Sequence, residues 1–204
     1  EEVTFLQRAF HLSREQLIAS WLLWDTGLRT YSNDIYTSEA LRCVMHLHNY
    51  LKGSWHEKRQ AVVLKLLERI RPKKICEIGF GTPQAYVKAY LSSRQTDILL
   101  MDYEDSSLRF AEKVLDVWDR NWRKRIKLTR FDLNEDVFPE GYDAYLFQDS
   151  MEHADNPSAA LKRCTTILKK GAHVLFSLPI EIEHPIPEHH ICFKTESEIF
   201  DWLE

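Results

Sequence analysis

The stretch QDSMEHADNP places Asp149, Glu152 and His153 close together, and EIEHPIPEHHICF later adds His184, His189 and His190. Two carboxylates and an imidazole can collect a divalent cation. Oxygen donors favour Mg2+ or Mn2+, and the imidazole softens the preference toward Mn2+, Fe2+ or Co2+. The expected ligand set is Asp149, Glu152, His153 and His189. Asp149, Glu152 and His153 are also the candidate catalytic group. Without a metal, His153 or a histidine of the 184–190 loop would act as general base, because an unperturbed imidazole titrates near neutral pH.

A second group lies upstream in KKICEIGFGTPQAY. The chain has only six glycines, yet Gly79 and Gly81 both follow an apolar run and precede a helical pattern. A glycine turn between a buried strand and a helix lets the backbone approach a ligand and aims helix N–H groups at it. The NAD fingerprint would want a further glycine where Gln84 stands, and a phosphate loop would want Gly-Lys-Ser/Thr. The turn has no lysine to meet a phosphate. Residues ending the successive apolar runs are instead acidic: Glu77, Asp102, Asp132, and Asp149 after Gln148. Asp102 is spaced from the glycine turn so that its carboxylate can accept both hydroxyls of a ribose. A cationic nucleoside without phosphate suits such a rim better than a pyrophosphate does.

The elements that must position these groups change character along the chain. The first seventy residues read as helices, with apolar stripes recurring at three and four behind capping signals. Ser13 and Gln16 form a capping box before Leu17, Ile18, Trp21 and Leu22, and Asp25 to Gly27 end that segment. Ser38 caps a helix carrying Leu41, Val44, Leu47 and Leu51 that Gly53 closes. Ser54 with Glu57 opens another, ending before Pro72. From Lys74 onward short apolar runs alternate with helical ones, the signature of parallel βαβ units. Strands are expected at KICEIG, DILLMD, IKLTRFD, YDAYLFQ and AHVLFSLP, with helices at 83–92, 105–118 and 157–169. The fold class is therefore α/β: an open, mainly parallel sheet with flanking helices behind an N-terminal helical cap. Residues 1–70 are the expected cap or lid, and residues 71–204 the core. In the cap, Trp21 and Trp24 are assigned to packing, whereas Tyr31 and Tyr36, with His184 from the later loop, are candidates for a substrate wall.

The bulk numbers exclude several classes. At 204 residues, 44% apolar and 28% charged, the chain has an ordinary globular composition. A net charge of −4 gives no overall basic field, which argues against a protein that lives on nucleic acid; the run RNWRKRIKLTR (120–130) reads as a solvated helix end. Cys43, Cys76, Cys164 and Cys192 form no C-x-x-C pair, so a reducing, cytoplasmic setting is expected. No apolar run approaches the length that spans a bilayer.

Over residues 73–204 the sequence resembles the class I S-adenosylmethionine-dependent methyltransferases. The resemblance rests on CEIGFGTP, LLMDYEDSSL, FDLNED, YDAYLFQDSMEHADNPSAAL and LKKGAHVLFSLP, in that order. It implies a Rossmann-like fold and S-adenosylmethionine as cofactor. Gly79, Phe80 and Gly81, with Glu77 behind them, would face the methionine portion; Asp102, with Tyr103, would bind the ribose; Asp132 and the Leu133 backbone would hold the adenine, and Gln148 would border the site. Pro83 stands where the family pattern has its third glycine. The D-x-x-E-H spacing is similar to the E-x-x-E-H of two metal-binding branches, the ubiquinone-biosynthesis O-methyltransferases and the small-RNA 3′-terminal 2′-O-methyltransferases. The family sheet normally has two further strands, so a homo-oligomer or another partner is expected to cover the sheet edge. The leading expectation is methyl transfer to oxygen or nitrogen of a small-molecule acceptor. The alternatives are a metal-dependent RNA 2′-O-methyltransferase and a non-catalytic cofactor-binding scaffold.

Overall fold

The computed structural model describes residues 2–26, 38–93, 95–181 and 188–204. Two compact units organise them. One gathers the chain up to Arg69 with residues 81–94 and 104–124, and the other comprises residues 70–80, 95–103 and 125–204.

The second unit is built on a sheet of five parallel strands. These are β1 (Lys74–Ile78), β2 (Asp97–Asp102), β3 (Ile126–Arg130), β4 (Ala144–Gln148) and β5 (His173–Ser177), in the order β3-β2-β1-β4-β5. The chain enters β1 and β2 through exposed Lys74 and Asp97, and every residue after them in both strands is buried; β4 is buried throughout. Continuous apolar runs of this kind mark strands covered on both faces, which is why they are legible from sequence. Register sets Ile78 beside both Met101 and Phe147, so the carboxyl ends of the three central strands lie level.

Alternate residues of these strands, among them Cys76, Ile78, Leu99, Met101, Tyr145 and Phe147, share one core with Met151, Ala160 and Cys164. Phe147 stacks on Phe176 with centroids 5.3 Å apart and meets Phe138 edge-on. Two helices cover this face. The first, Pro157–Thr166, starts at an Asn156 cap whose Oδ1 accepts from the Ala159 N–H at 3.0 Å, with proline in its first turn. It ends three residues before the expected 169, because the Ile167 and Leu168 N–H groups turn back to Cys164 and Thr165 in tighter bonds. The second, Glu196–Leu203, is pinned where Trp202 donates to Ser158 Oγ at 2.8 Å and packs edge-on against Phe176.

In the other unit the helices are α1 (Glu2–Phe10), α2 (Arg14–Thr26), α3 (Glu39–His48), α4 (Trp55–Ile70), α5 (Ala85–Ser93) and α6 (Asp105–Trp118). The caps form as expected. Ser13 and Gln16 exchange backbone-to-side-chain bonds, Ser38 Oγ accepts from Leu41, and Ser54 Oγ accepts from the Glu57 N–H while Gly53 donates to Glu57. The core joins Leu6 and Phe10 of α1, Leu17 of α2, Cys43 and Leu47 of α3, and Phe110 and Val114 of α6. Phe10 and Phe110 stack at 4.5 Å. Trp21 and Trp24 both stack on His48, at 4.8 and 5.2 Å, so both indoles pack as expected. Within the basic run Trp122 is buried and Arg123 pairs with Glu112 and Asp116, which makes that segment an internally paired helix end.

All four cysteines are free thiols. Among the described residues no helix is long and apolar enough to cross a membrane. Phe147→Ala should cost about 3–5 kcal/mol of stability, read from urea unfolding; an unchanged midpoint would contradict the placement of Phe147 in the core.

Candidate functional site

The turn after β1 is held by three contacts within the sheet unit. The Gly79 N–H donates to the Met101 carbonyl at 2.8 Å, extending the β1–β2 ladder past its last residue. Ser150, buried just after β4, donates its hydroxyl to the Ile78 carbonyl at 2.7 Å. Gly79 has φ +71°, and a Cβ built on it would lie 2.4 Å from Ser150 Cβ. Only glycine satisfies both the left-handed backbone and the approach. Phe80 is buried, and Gly81 repeats the left-handed conformation at φ +59°.

Around this turn the strand ends carry the acidic residues. Glu77 is fully buried in β1, and Gln148 at the end of β4 donates its amide to Glu77 Oε1 at 2.6 Å. That bond fixes one oxygen of the buried carboxylate. Asp102 closes β2 at 6% exposure, and its carbonyl accepts from the Phe131 N–H. Tyr103 is half exposed, with the Arg130 guanidinium over its ring and bonded to its carbonyl. Beyond β3, Asp132 Oδ1 accepts from the Asn134 N–H at 2.8 Å, and the Asp132 N–H donates to Asp136 Oδ2 at 2.7 Å. Arg163 donates to the carbonyls of Leu133 and Asn134. The Asp132–Leu133 segment is therefore a rigid Asx turn.

Past β4 the D-x-x-E-H residues separate into two environments. Asp149 sits at φ +52°; its N–H donates to the Ser177 carbonyl and its Oδ1 accepts from Ser177 Oγ at 2.5 Å. Glu152 and His153 lie in the short helical turn Met151–His153. Among the described residues, Glu152, His153 and His189 form the group whose candidate ligand atoms all lie within 4.8 Å of one another. Two contacts bring His189 there: the His190 N–H donates to the Glu152 carbonyl at 2.8 Å, and Glu181 Oε1 stands 2.8 Å from His189 Nδ1. His153 Nδ1 faces the Glu188 carbonyl at 3.3 Å. A carbonyl can only accept, so the neutral His153 ring carries its proton on Nδ1 and its lone pair on Nε2. Burial, followed by the neighbouring His189 ring, holds the His153 imidazole below its usual pKa, favouring that neutral form.

The structure therefore gathers Glu152, His153 and His189, and leaves Asp149 bonded to Ser177. Tyr31, Tyr36 and His184 lie outside the described residues. Sequence reasoning missed Glu181 and Glu188. The signal was present in the glutamates of EIEHPIPEHH, overshadowed there by the histidines.

Residues 76–176 match the methyltransferase domain family. A curated relative, the ubiquinone biosynthesis O-methyltransferase of Acinetobacter baumannii (strain ACICU), is 24% identical over 135 residues, covering 65% of this chain and 52% of the relative. The chain thus spans about half the length of that protein. Among solved structures, the S-adenosylmethionine-dependent methyltransferase SibL in its apo form is similar over 99% of this chain and 66% of its own, with a TM-score of 0.61 and 15% identity. The methyltransferase domain of bacterial CtHen1-CN covers 72% of this chain and 81% of its own, with a TM-score of 0.55 and 23% identity. Both likenesses are in fold.

The open parallel sheet of this strand order, with a glycine turn after its first strand, is a Rossmann-like α/β fold. The matched residues 76–176, which run from β1 into β5, form a domain of the class I S-adenosylmethionine-dependent methyltransferases.

Gly79→Ala should destabilise the fold by about 2–5 kcal/mol, from overpacking against Ser150 together with the left-handed backbone. Thermal or urea unfolding reads it; retained stability would mean the turn tolerates a Cβ.

Proposed function

We propose that this chain transfers the methyl group of S-adenosylmethionine to an oxygen or nitrogen of a small-molecule acceptor. Asp102 carries the reading: a carboxylate ending β2 at 6% exposure, on the strand next to a glycine turn that lacks lysine. A ribose presents two adjacent hydroxyls to such a group, and each charge-assisted hydrogen bond favours it. Tyr103 would border the ribose, Asp132 and the Leu133 N–H would hold the adenine, and Glu77, Gly79, Phe80, Gly81 and Gln148 would surround the methionine portion. The residues present fit a cationic nucleoside, because buried carboxylates at Glu77 and Asp102 stand at the strand ends and the turn carries no lysine.

Bound S-adenosylmethionine supplies an electrophilic methyl on a cationic sulfur, and the neutral thioether leaves with the bonding pair. The chain's own work is to align the acceptor, exclude water and receive the acceptor's proton. His153 is the candidate for that proton: burial keeps its ring neutral, and the nearby Asp149 favours the charged form it would acquire. The name of the ubiquinone-biosynthesis relative supports an oxygen acceptor. The net charge of −4 supports a small molecule over a polyanion.

Glu152, His153 and His189 also fit a divalent ion such as Mg2+ or Mn2+, with one buried carboxylate and two imidazoles whose Nδ1 atoms are already directed at protein oxygens. Such an ion would lower the pKa of an acceptor hydroxyl. This cluster favours a second reading, metal-dependent methylation of an RNA 2′-hydroxyl, for which salt-sensitive binding of a short RNA is the discriminating property.

Asp102→Ala should weaken S-adenosylmethionine binding by about 1–3 kcal/mol; equal affinity in a calorimetric titration would remove Asp102 from the ribose site. Mn2+ should raise the thermal midpoint of the wild type and leave Glu152→Ala unmoved. A shift of the same size in both proteins would remove Glu152 from any metal site.

A further inference from the structure

Within the helical unit, α3 and α4 hold residues 81–84 through buried polar side chains. Arg42, Met45 and Asn49 lie three and four residues apart, on one side of α3 and at its end. Arg42 is 2% exposed. Its Nη1 donates to the Gly81 carbonyl at 3.0 Å and to Ser107 Oγ at 2.7 Å, while Nη2 donates to Ser106 Oγ at 2.8 Å. Met45 Cε stands 3.2 Å from where a Cβ on Gly81 would be. Asn49 donates to Thr82 Oγ1, and Gln60 of α4 donates to Gln84 Oε1, whose amide returns a bond to the Thr82 carbonyl.

Burying a guanidinium costs several kcal/mol unless its donors are satisfied, so its use on a glycine turn calls for a reason. Gly81 is in the left-handed region, where glycine has the most freedom to move, and Pro83 supplies no N–H. The usable donor between them is the Thr82 N–H. The Gly81–Thr82 peptide is trans, as are the others among the described residues, so holding the Gly81 carbonyl toward Arg42 turns the Thr82 N–H, on the same peptide plane, in the opposite direction.

We propose that Arg42 is a positioning residue for cofactor binding. By fixing the Gly81–Thr82 peptide, it aims the Thr82 N–H at the carboxylate of the cofactor's amino-acid end, in a turn where Pro83 offers no N–H of its own. The fork geometry is required, because a single ammonium cannot reach the carbonyl and both serine hydroxyls together. The proposal rests on the cofactor reading above and names a residue that reading does not use.

The test compares S-adenosylhomocysteine, which carries the amino-acid end, with adenosine, which does not, in titrations of the wild type, Arg42→Lys and Arg42→Met. Both variants should lose at least tenfold in S-adenosylhomocysteine affinity and stay within twofold for adenosine. In turnover, KM for S-adenosylmethionine should rise more than kcat falls. Equal losses for the two ligands would make Arg42 merely structural, and a lysine variant with wild-type affinity would show that charge alone suffices; either overturns the proposal. If both variants fail to fold, Ser107→Ala, which removes one hydroxyl from the fork, should still weaken S-adenosylhomocysteine selectively, and no selective change would overturn the proposal. A wild type that binds neither ligand would instead sink the cofactor reading, and this inference with it.

Discussion

The backbone of Gly79 passes so close to Ser150 that no side chain fits between them, and the rest of the candidate site depends on that approach. Ser150 donates to the Ile78 carbonyl while Gly79 donates to Met101, so the ends of β1 and β2 and the segment after β4 are drawn to one place. Glu77, Asp102 and Gln148 follow from it, because each sits on a strand whose register is set by its neighbours. The cost of the arrangement is left-handed backbone at both glycines and at Asp149, and conformations of this kind persist where surrounding contacts over-determine them. Here a buried serine, a buried glutamine and two ladder bonds do so.

The electrostatic character of the candidate site is acidic. Carboxylates recur at the strand ends, and the turn contributes no lysine, so a pyrophosphate would meet repulsion where a sulfonium and a ribose would meet acceptors. Farther along, the imidazoles of His153 and His189 meet nearly edge-on at 4.6 Å. Two cationic imidazoliums at that distance would repel, and the lowered pKa of His153 is consistent with a ring kept neutral and able to accept a proton or a metal.

Much of the sheet was legible in the sequence because its central strands are buried on both faces and so read as unbroken apolar runs bounded by charge. The caps at Ser13, Ser38 and Ser54 were legible for an equally local reason, a side chain bonding a backbone group three residues on. The helix Glu2–Phe10 was less so, since its burial rests on Leu6 and Phe10 meeting Phe110 and Val114 far along the chain. Nothing in the sequence singles out Arg42, and only tertiary structure shows it bonded to Gly81 and two serines. The link between Glu181 and His189 was hidden similarly, because a side-chain pair across a loop leaves no periodic trace. Residues at strand ends announce themselves by position, whereas residues that hold them from another element do not.

Calorimetric titration of the wild-type chain with S-adenosylmethionine, with NAD as the competitor ligand, tests the central claim most directly. The account expects saturable one-to-one binding of S-adenosylmethionine and much weaker binding of NAD. Preference for NAD, or no binding of S-adenosylmethionine, would contradict it.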